Sequence, residues 1–350
     1  MKFTVVIILF LVSAAAAQSG RVKLPDNPSP TPRPTQKTPI KYNPTQPVEK
    51  GPVGTPTPDV GDDDVIKVES TLVPIPVSVL DSNGRALTNL QLADFELKIN
   101  GKPAEISDIS RSESPIRLAM LFDNSSSVLI AREFETKVAI RFFDRILRPE
   151  KDLAALFSVS TVTRIEQRFT SDVGSLTRAI RLFAEPVGAT ALLDGIILAA
   201  EYLSEVQGRR VIVIVSDGDD TSSDSSLDQA LRSLQFSNCQ VYVVKTTDFE
   251  NYKRTGSRAG NANLRQLSAE RRMIEVANQT GGKVYSPVDE RELDEAFRQI
   301  SAELSQQYIL SYYPENESQF RGAFREISLS VRSKPNLDVR TRKGYYVPKR

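Results

Sequence analysis

Five consecutive β-branched residues, Val211-Ile212-Val213-Ile214-Val215, constrain the fold more than any other feature of the sequence. An unbroken apolar strand needs cover on both faces, which a parallel sheet layered between helices supplies. The surrounding pattern agrees. Residues 116–122, 152–159 and 240–245 read as further buried strands, 283–285 as a short one, and 163–170 alternates like a hairpin partner at an edge. Between them, residues 133–147, 176–183, 192–203, 227–234, 264–277 and 293–304 place apolar side chains at helical spacing. Strands alternating with helices predict an α/β domain over residues 115–307, built as a doubly wound, mostly parallel, Rossmann-like sheet.

Both flanks of this segment read as β. Val68, Leu72, Val73, Ile75, Val77 and Val79 predict one strand, and Pro74 and Pro76 inside it predict an edge position. Residues 95–99 alternate, Asn100-Gly101 suits a type I′ turn, and 103–109 returns. Downstream, 308–313, 324–331 and 337–340 are strand-like. Each flank alone has few strands and an apolar face to hide. Residues 65–114 and 308–350 are therefore predicted to pair into one discontinuous β-sandwich.

The first residues carry a different message. Lys2 precedes an apolar run over residues 3–17 that ends in Ala14 to Ala17, the pattern of a secretory signal. The run is short for a membrane span, although an uncleaved anchor is the alternative. Cleavage after Ala17 would leave no transmembrane span and a chain with 44 basic and 44 acidic side chains, since Lys2 is lost from 45 and 44. Eleven of the 21 prolines fall between Pro25 and Pro58, so residues 18–64 read as a Pro-rich linker without a core of its own, either a spacer or a Pro-rich ligand. The implied location is secreted or otherwise extracytoplasmic, in a periplasm or at a cell surface.

Composition then removes whole classes of chemistry. The chain has no histidine and one cysteine, Cys239, which sits in a strand-like run and reads as buried. His-based triads, imidazole acid–base catalysis, His/Cys zinc sites and intrachain disulfides are all excluded. Near-neutral charge argues against a nucleic-acid partner. A metal, if bound, must take oxygen ligands, which favours Mg²⁺, Mn²⁺ or Ca²⁺.

One constellation offers such ligands. Asp123, Ser125 and Ser127 stand at i, i+2 and i+4 after the first α/β strand, where sheets of this type bind ligands. Thr190 follows Gly188 and Ala189 before a helix, and Asp217 follows the Val211–Val215 run. Each has a plainer reading: a polar turn and cap for the first loop, an N-cap for Thr190, a turn-forming Asx residue for Asp217. What those readings leave unexplained is that all three loops fall on one edge of one sheet.

These residues resemble the metal-ion-dependent adhesion site (MIDAS) of a von Willebrand factor A (VWA) domain. Asp123-Asn124-Ser125-Ser126-Ser127 matches the family's Asp-x-Ser-x-Ser, Thr190 its threonine loop, and Asp217 its later aspartate, although Ser216-Asp217-Gly218 replaces the usual Thr-Asp-Gly. The flanks, with Val77-Ser78-Val79-Leu80-Asp81, Asn100-Gly101-Lys102-Pro103, Gln307-Tyr308-Ile309-Leu310 and Arg342-Lys343-Gly344-Tyr345-Tyr346, resemble the VWFA-related, acidobacterial-type family. The resemblance implies a cation, Mg²⁺ foremost, held by Asp123, Ser125, Ser127, Thr190 and Asp217. It implies adhesion: binding of a protein or glycan partner through an exposed carboxylate, without catalysis. Two alternatives stay open. One is a metal-dependent hydrolase, for which Asp219 and Asp220 add acidity. The other is a structural or assembly module with a vestigial site. Asp219, Asp220 and Asp224 otherwise read as a solvated, mobile loop. Residues 251–263, with Lys253, Arg254 and Arg258, read as an exposed loop that could meet an acidic partner.

Overall fold

The structure, a computed structural model, describes residues 72–82, 84–111, 114–126, 132–258, 263–314, 317–332 and 336–349. The signal and Pro-rich segments read from residues 1–64 lie outside the described residues, as do Val68, Ser127 and residues 259–262.

The amino-terminal flank contributes β1 (Val73–Leu80), β2 (Phe95–Ile99), β3 (Lys102–Ala104) and β4 (Asp108–Arg111). β1 is not the edge strand its prolines suggested. It lies between β11 (Tyr308–Tyr312) and β13 (Asp338–Arg340). Residues 73–77 pair with β11 and residues 78–80 with β13, so Pro74 and Pro76 fall where only one neighbour is present. A missing N–H costs no ladder bond on the open side. The Asn100-Gly101 turn forms, with φ of 50° and 75°, and joins β2 to β3. The returning segment then divides: after Ala104 the chain leaves this sheet, and β4 pairs with β11. Two four-stranded sheets result, β13-β1-β11-β4 and β14-β12-β2-β3, where β12 is Phe324–Val331 and β14 is Gly344–Tyr346. Each sheet takes strands from both flanks. Ile75, Val77, Phe95, Leu97, Leu310, Tyr312 and Ile327 form their common core.

The intervening chain forms a six-stranded sheet ordered β10-β9-β8-β5-β6-β7. Its strands are β5 (Ile116–Asp123), β6 (Leu153–Val159), β7 (Arg164–Thr170), β8 (Arg209–Ser216), β9 (Cys239–Lys245) and β10 (Val284–Tyr285). All neighbours are parallel except β7, which runs antiparallel to β6. The helices are α1 (Arg132–Ile146), α2 (Val173–Arg181), α3 (Leu192–Ser204), α4 (Leu227–Phe236), α5 (Thr247–Thr255), α6 (Leu264–Thr280) and α7 (Glu290–Gln306). The β-branched run of β8 is covered on both faces. Val211, Val213 and Val215 pack in a core with Phe142 of α1 and Phe297 of α7, while Ile212 and Ile214 pack in another with Ile196 of α3. Cys239 is buried. The loop expected at residues 251–263 is instead helical through Thr255, where α5 ends at Gly256 in the left-handed conformation (φ 70°).

This topology places the candidate site. From β5 the chain moves outward to β6 and β7, then crosses through α3 to β8 on the other side of β5. The loops leaving β5 and β8 therefore diverge from adjacent strand ends, the position where open α/β sheets leave a crevice. At the opposite edge, α7 runs into β11 through Gln307, whose Nε2 donates to Ser78 Oγ (2.8 Å) and Gln240 Oε1 (3.0 Å). Glu303 of α7 lies 2.9 Å from Arg340 of β13 and accepts from Tyr242 Oη at 2.8 Å.

Candidate metal centre

Asp123 is the last residue of β5, and its side chain is nearly sealed from solvent at 1 % exposure. Its Oδ1 accepts from Ser125 N (2.9 Å) and its Oδ2 from Ser216 Oγ (2.6 Å). Those bonds orient the carboxylate and tie the β5 loop to the end of β8. Ser125 and Thr190 are also buried, at 3 % and 4 % exposure. The threonine loop is laced to the β5 loop: Val187 N donates to Asn124 O (2.9 Å), and Gly188 N to Ser126 Oγ (3.1 Å). The β8 loop closes the set, with Thr221 N and Ser222 N donating to Thr190 O at 2.8 and 3.0 Å. Asp217 stands half-buried just past β8, and its Oδ1 accepts from Asp219 N (2.9 Å) in the manner of an Asx turn. Four of the five sequence-derived site residues thus sit on three loops joined by hydrogen bonds; the fifth, Ser127, lies outside the described residues.

Two plainer readings can be compared with the geometry. Thr190 does not cap α3. The N-cap position is Ala191, without a side-chain bond, and the cap comes from Asp220, whose Oδ1 accepts from Leu192 N (2.8 Å) and Leu193 N (3.3 Å). The Asx turn at Asp217 does form, using one of its two oxygens. The acidic loop expected to be solvated and mobile is tied down instead. Asp219 pairs with Arg265 and, at 3.7 Å, with Arg272. Asp194 accepts from Asp224 N (2.9 Å) and Ser225 N (3.1 Å).

The electrostatics of the site are acidic in depth. Burial, and then the nearby Asp217 carboxylate, push the Asp123 carboxyl up to about 6. Behind it lie two carboxyls that sequence reasoning did not single out. Glu135 of α1 and Glu250 of α5 are each pushed up to about 8, chiefly by burial, and each feels the charges of Asp123 and Asp217. Glu135 was legible in principle: it stands on the stripe Glu135, Val138, Ala139, Phe142 that turns inward. Arg132 is the counter-charge at this end of α1. Its Nη2 donates to Asn124 Oδ1 (2.7 Å) and to the Asp123 carbonyl. Among the described residues no group of three or more His, Cys, Asp or Glu is set to hold a metal. A cation here would therefore depend on hydroxyl oxygens beside Asp123 and Asp217. That donor set is hard and all-oxygen, suiting Mg²⁺, Mn²⁺ or Ca²⁺.

A doubly wound α/β domain carrying a three-loop hydroxyl–carboxylate site at the carboxyl edge of its sheet defines the class of this protein. Residues 118–299 match the model of the von Willebrand factor type A domain, more than half of the chain, and the chain belongs to that family. No curated protein matches it. Among solved structures it is similar to the PilB minor pilin of Streptococcus sanguinis, with 14 % identity and a TM-score of 0.43 over 57 % of this chain and 63 % of that one. It is also similar to an aerotolerance-related membrane protein of Bacteroides fragilis (19 % identity, TM-score 0.40, 54 % of this chain and 98 % of that one). A third is the vWF domain of the type V pili tip protein Mfa5 of Porphyromonas gingivalis (23 % identity, TM-score 0.29, 31 % of this chain and 39 % of that one). The chain spans less than two thirds of the PilB structure. Among the described residues no helix is long and apolar enough to cross a membrane.

Proposed function

We propose that the protein is an extracytoplasmic binding module that holds a divalent cation, Mg²⁺ foremost, and uses it to grip a carboxylate on a protein or glycan partner. The observation that carries this reading is the burial of Asp123 beside Asp217 at the junction of three bonded loops. Two carboxylates in that setting repel, and a cation between them offsets both burial and repulsion. Ser125, Ser127 and Thr190 would supply hydroxyls directly, with Asp123 and Asp217 acting directly or through water. Neutral hydroxyls leave the cation electron-poor, so it accepts one more anionic oxygen, which the partner supplies. Mg²⁺ keeps waters in its shell and can exchange one of them for that oxygen. Export through the Lys2 to Ala17 segment would place the site where such partners occur.

A hydrolytic role is disfavoured by the same geometry. Asp219 is held by Arg265 and Arg272, and Asp220 is spent capping α3, so neither is set to act as a base on metal-bound water. The test is retention of the full chain on a carboxylate-bearing peptide surface with Mg²⁺ and with EDTA. Retention that EDTA and Asp123→Ala both remove supports the proposal. Retention indifferent to both points to an assembly module without a working site, and mutation-sensitive turnover in a phosphatase or esterase screen points to the hydrolase.

A further inference from the structure

A cleft of about 450 Å³ opens at the sheet edge opposite the acidic loops. One wall is the amino ends of β8 and β9; the other is β1, β11 and the last residues of the chain. The volume is in the range of small-molecule sites. Its lining includes three arginines, Arg209, Arg210 and Arg342, and no acidic side chain. Among the described residues none of the three forms an ion pair.

The three differ in what they do. Arg209 donates to Leu304 O at 2.8 Å and to Gln307, closing the end of α7. Arg210 donates to Ser237 O at 2.8 Å and Val206 O at 3.0 Å, closing the ends of α4 and α3. Arg210 serves main-chain carbonyls, and Arg209 serves one such carbonyl and the Gln307 side-chain oxygen. Arg342 donates to Pro74 O at 2.9 Å and to Asn238, lies 5.3 Å from the Tyr345 ring, and keeps a buried Nε without an acceptor among the described residues. A buried donor without an acceptor is costly, and one on a cation more so. An anion seated in the cleft beside the guanidinium offsets the cost of its unpaired charge. Around it, Pro74, Pro76, Ile309 and Tyr346 supply an apolar wall.

We propose that this cleft is a second binding site, distinct from the metal centre, for a small organic carboxylate with an apolar body. The carboxylate sits beside the Arg342 guanidinium, in the field of Arg209 and Arg210, and the body lies against Pro74, Ile309 and Tyr346. The apolar wall of Pro74, Pro76, Ile309 and Tyr346 favours an anion with an apolar body over a bare inorganic anion. The proposal does not depend on the cation site.

The experiment titrates phenylbutyrate, and its neutral amide as control, into the full chain in EDTA, followed by protein-observed NMR. EDTA keeps the metal loops from contributing. Saturable binding of the acid is expected below about 10 mM, with the amide weaker by about ten-fold or more. Arg342→Gln should remove that preference. Leu72→Trp should block both ligands, because Leu72 lines the cleft while 41 % exposed, so enlarging it fills space without entering the core. The second variant decides the matter even if the first does not fold. Absence of saturable binding by the acid, equal binding of acid and amide, or acid binding that survives Leu72→Trp overturns the proposal.

Discussion

Replacing Asp123 by Asn should make the metal-free protein more stable at neutral pH while removing its response to Mg²⁺. The carboxyl of Asp123 titrates near 3.8 when unperturbed and is pushed up to about 6 in the fold. A carboxyl raised on folding favours the native state below its unfolded value and loses that contribution as pH rises through the folded value. Two pH units correspond to about 3 kcal/mol between the limits, of which about 2 kcal/mol develops between pH 4 and pH 8. Asn carries no charge to bury, yet its carbonyl can still accept from Ser125 N or Ser216 Oγ. In EDTA, the variant should therefore gain on the wild type by about 2 kcal/mol from pH 4 to pH 8, or about 4–8 °C in Tm. Glu135 and Glu250 also lose stabilisation over this range, but both proteins share them, so the difference isolates Asp123 to first order. Mg²⁺ at about 100 times its Kd should return about 2.7 kcal/mol to the wild type and nothing to the variant. Denaturant unfolding at several pH values measures all of this. A wild-type-minus-variant difference that stays flat from pH 4 to pH 8 refutes the burial and repulsion assigned to Asp123.

Other substitutions probe the frame around the site. Asp220→Ala removes the acceptor for Leu192 N and Leu193 N and should cost about 1–2 kcal/mol in denaturant unfolding, with Asp220→Asn recovering part of it. Gly282→Ala would bring a Cβ within 1.8 Å of Val241 O, so cooperative thermal unfolding by circular dichroism should be lost or moved down by more than about 4 kcal/mol. Arg340→Met strands the buried Glu303 carboxylate and should cost about 3–5 kcal/mol, whereas Glu303→Leu with Arg340→Met should restore most of it in a double-mutant cycle.

Where sequence reading succeeded, the signal was local and repeated. The β8 run is apolar at every position because both faces are covered, and the helices betray themselves through several inward residues each. α5 was missed because its buried positions are only Thr247 and Phe249, leaving Asn, Lys and Arg to dominate its composition. The position of β1 was misjudged because a proline reports on one neighbour, and which neighbour is absent depends on β13, which lies near the other end of the chain. The acidic loop after β8 looked mobile for a similar reason. Its anchors are the amides of Leu192 and Leu193 and the guanidiniums of Arg265 and Arg272, none of them near in sequence. The juxtaposition of the candidate loops was legible: two follow the adjacent strands β5 and β8, and the third, with Thr190, precedes α3. What spacing could not supply was the Ser216 bond to Asp123 and the two buried carboxyls behind it.

Calorimetric titration of MgCl₂ into the full chain and into its Asp123→Ala variant tests the cation-bridged site most directly. The proposed ligand set of Asp123, Ser125, Ser127, Thr190 and Asp217 predicts one saturable Mg²⁺ site in the wild type and none in the variant. A wild type that takes no Mg²⁺, or a variant that binds it equally well, contradicts the site.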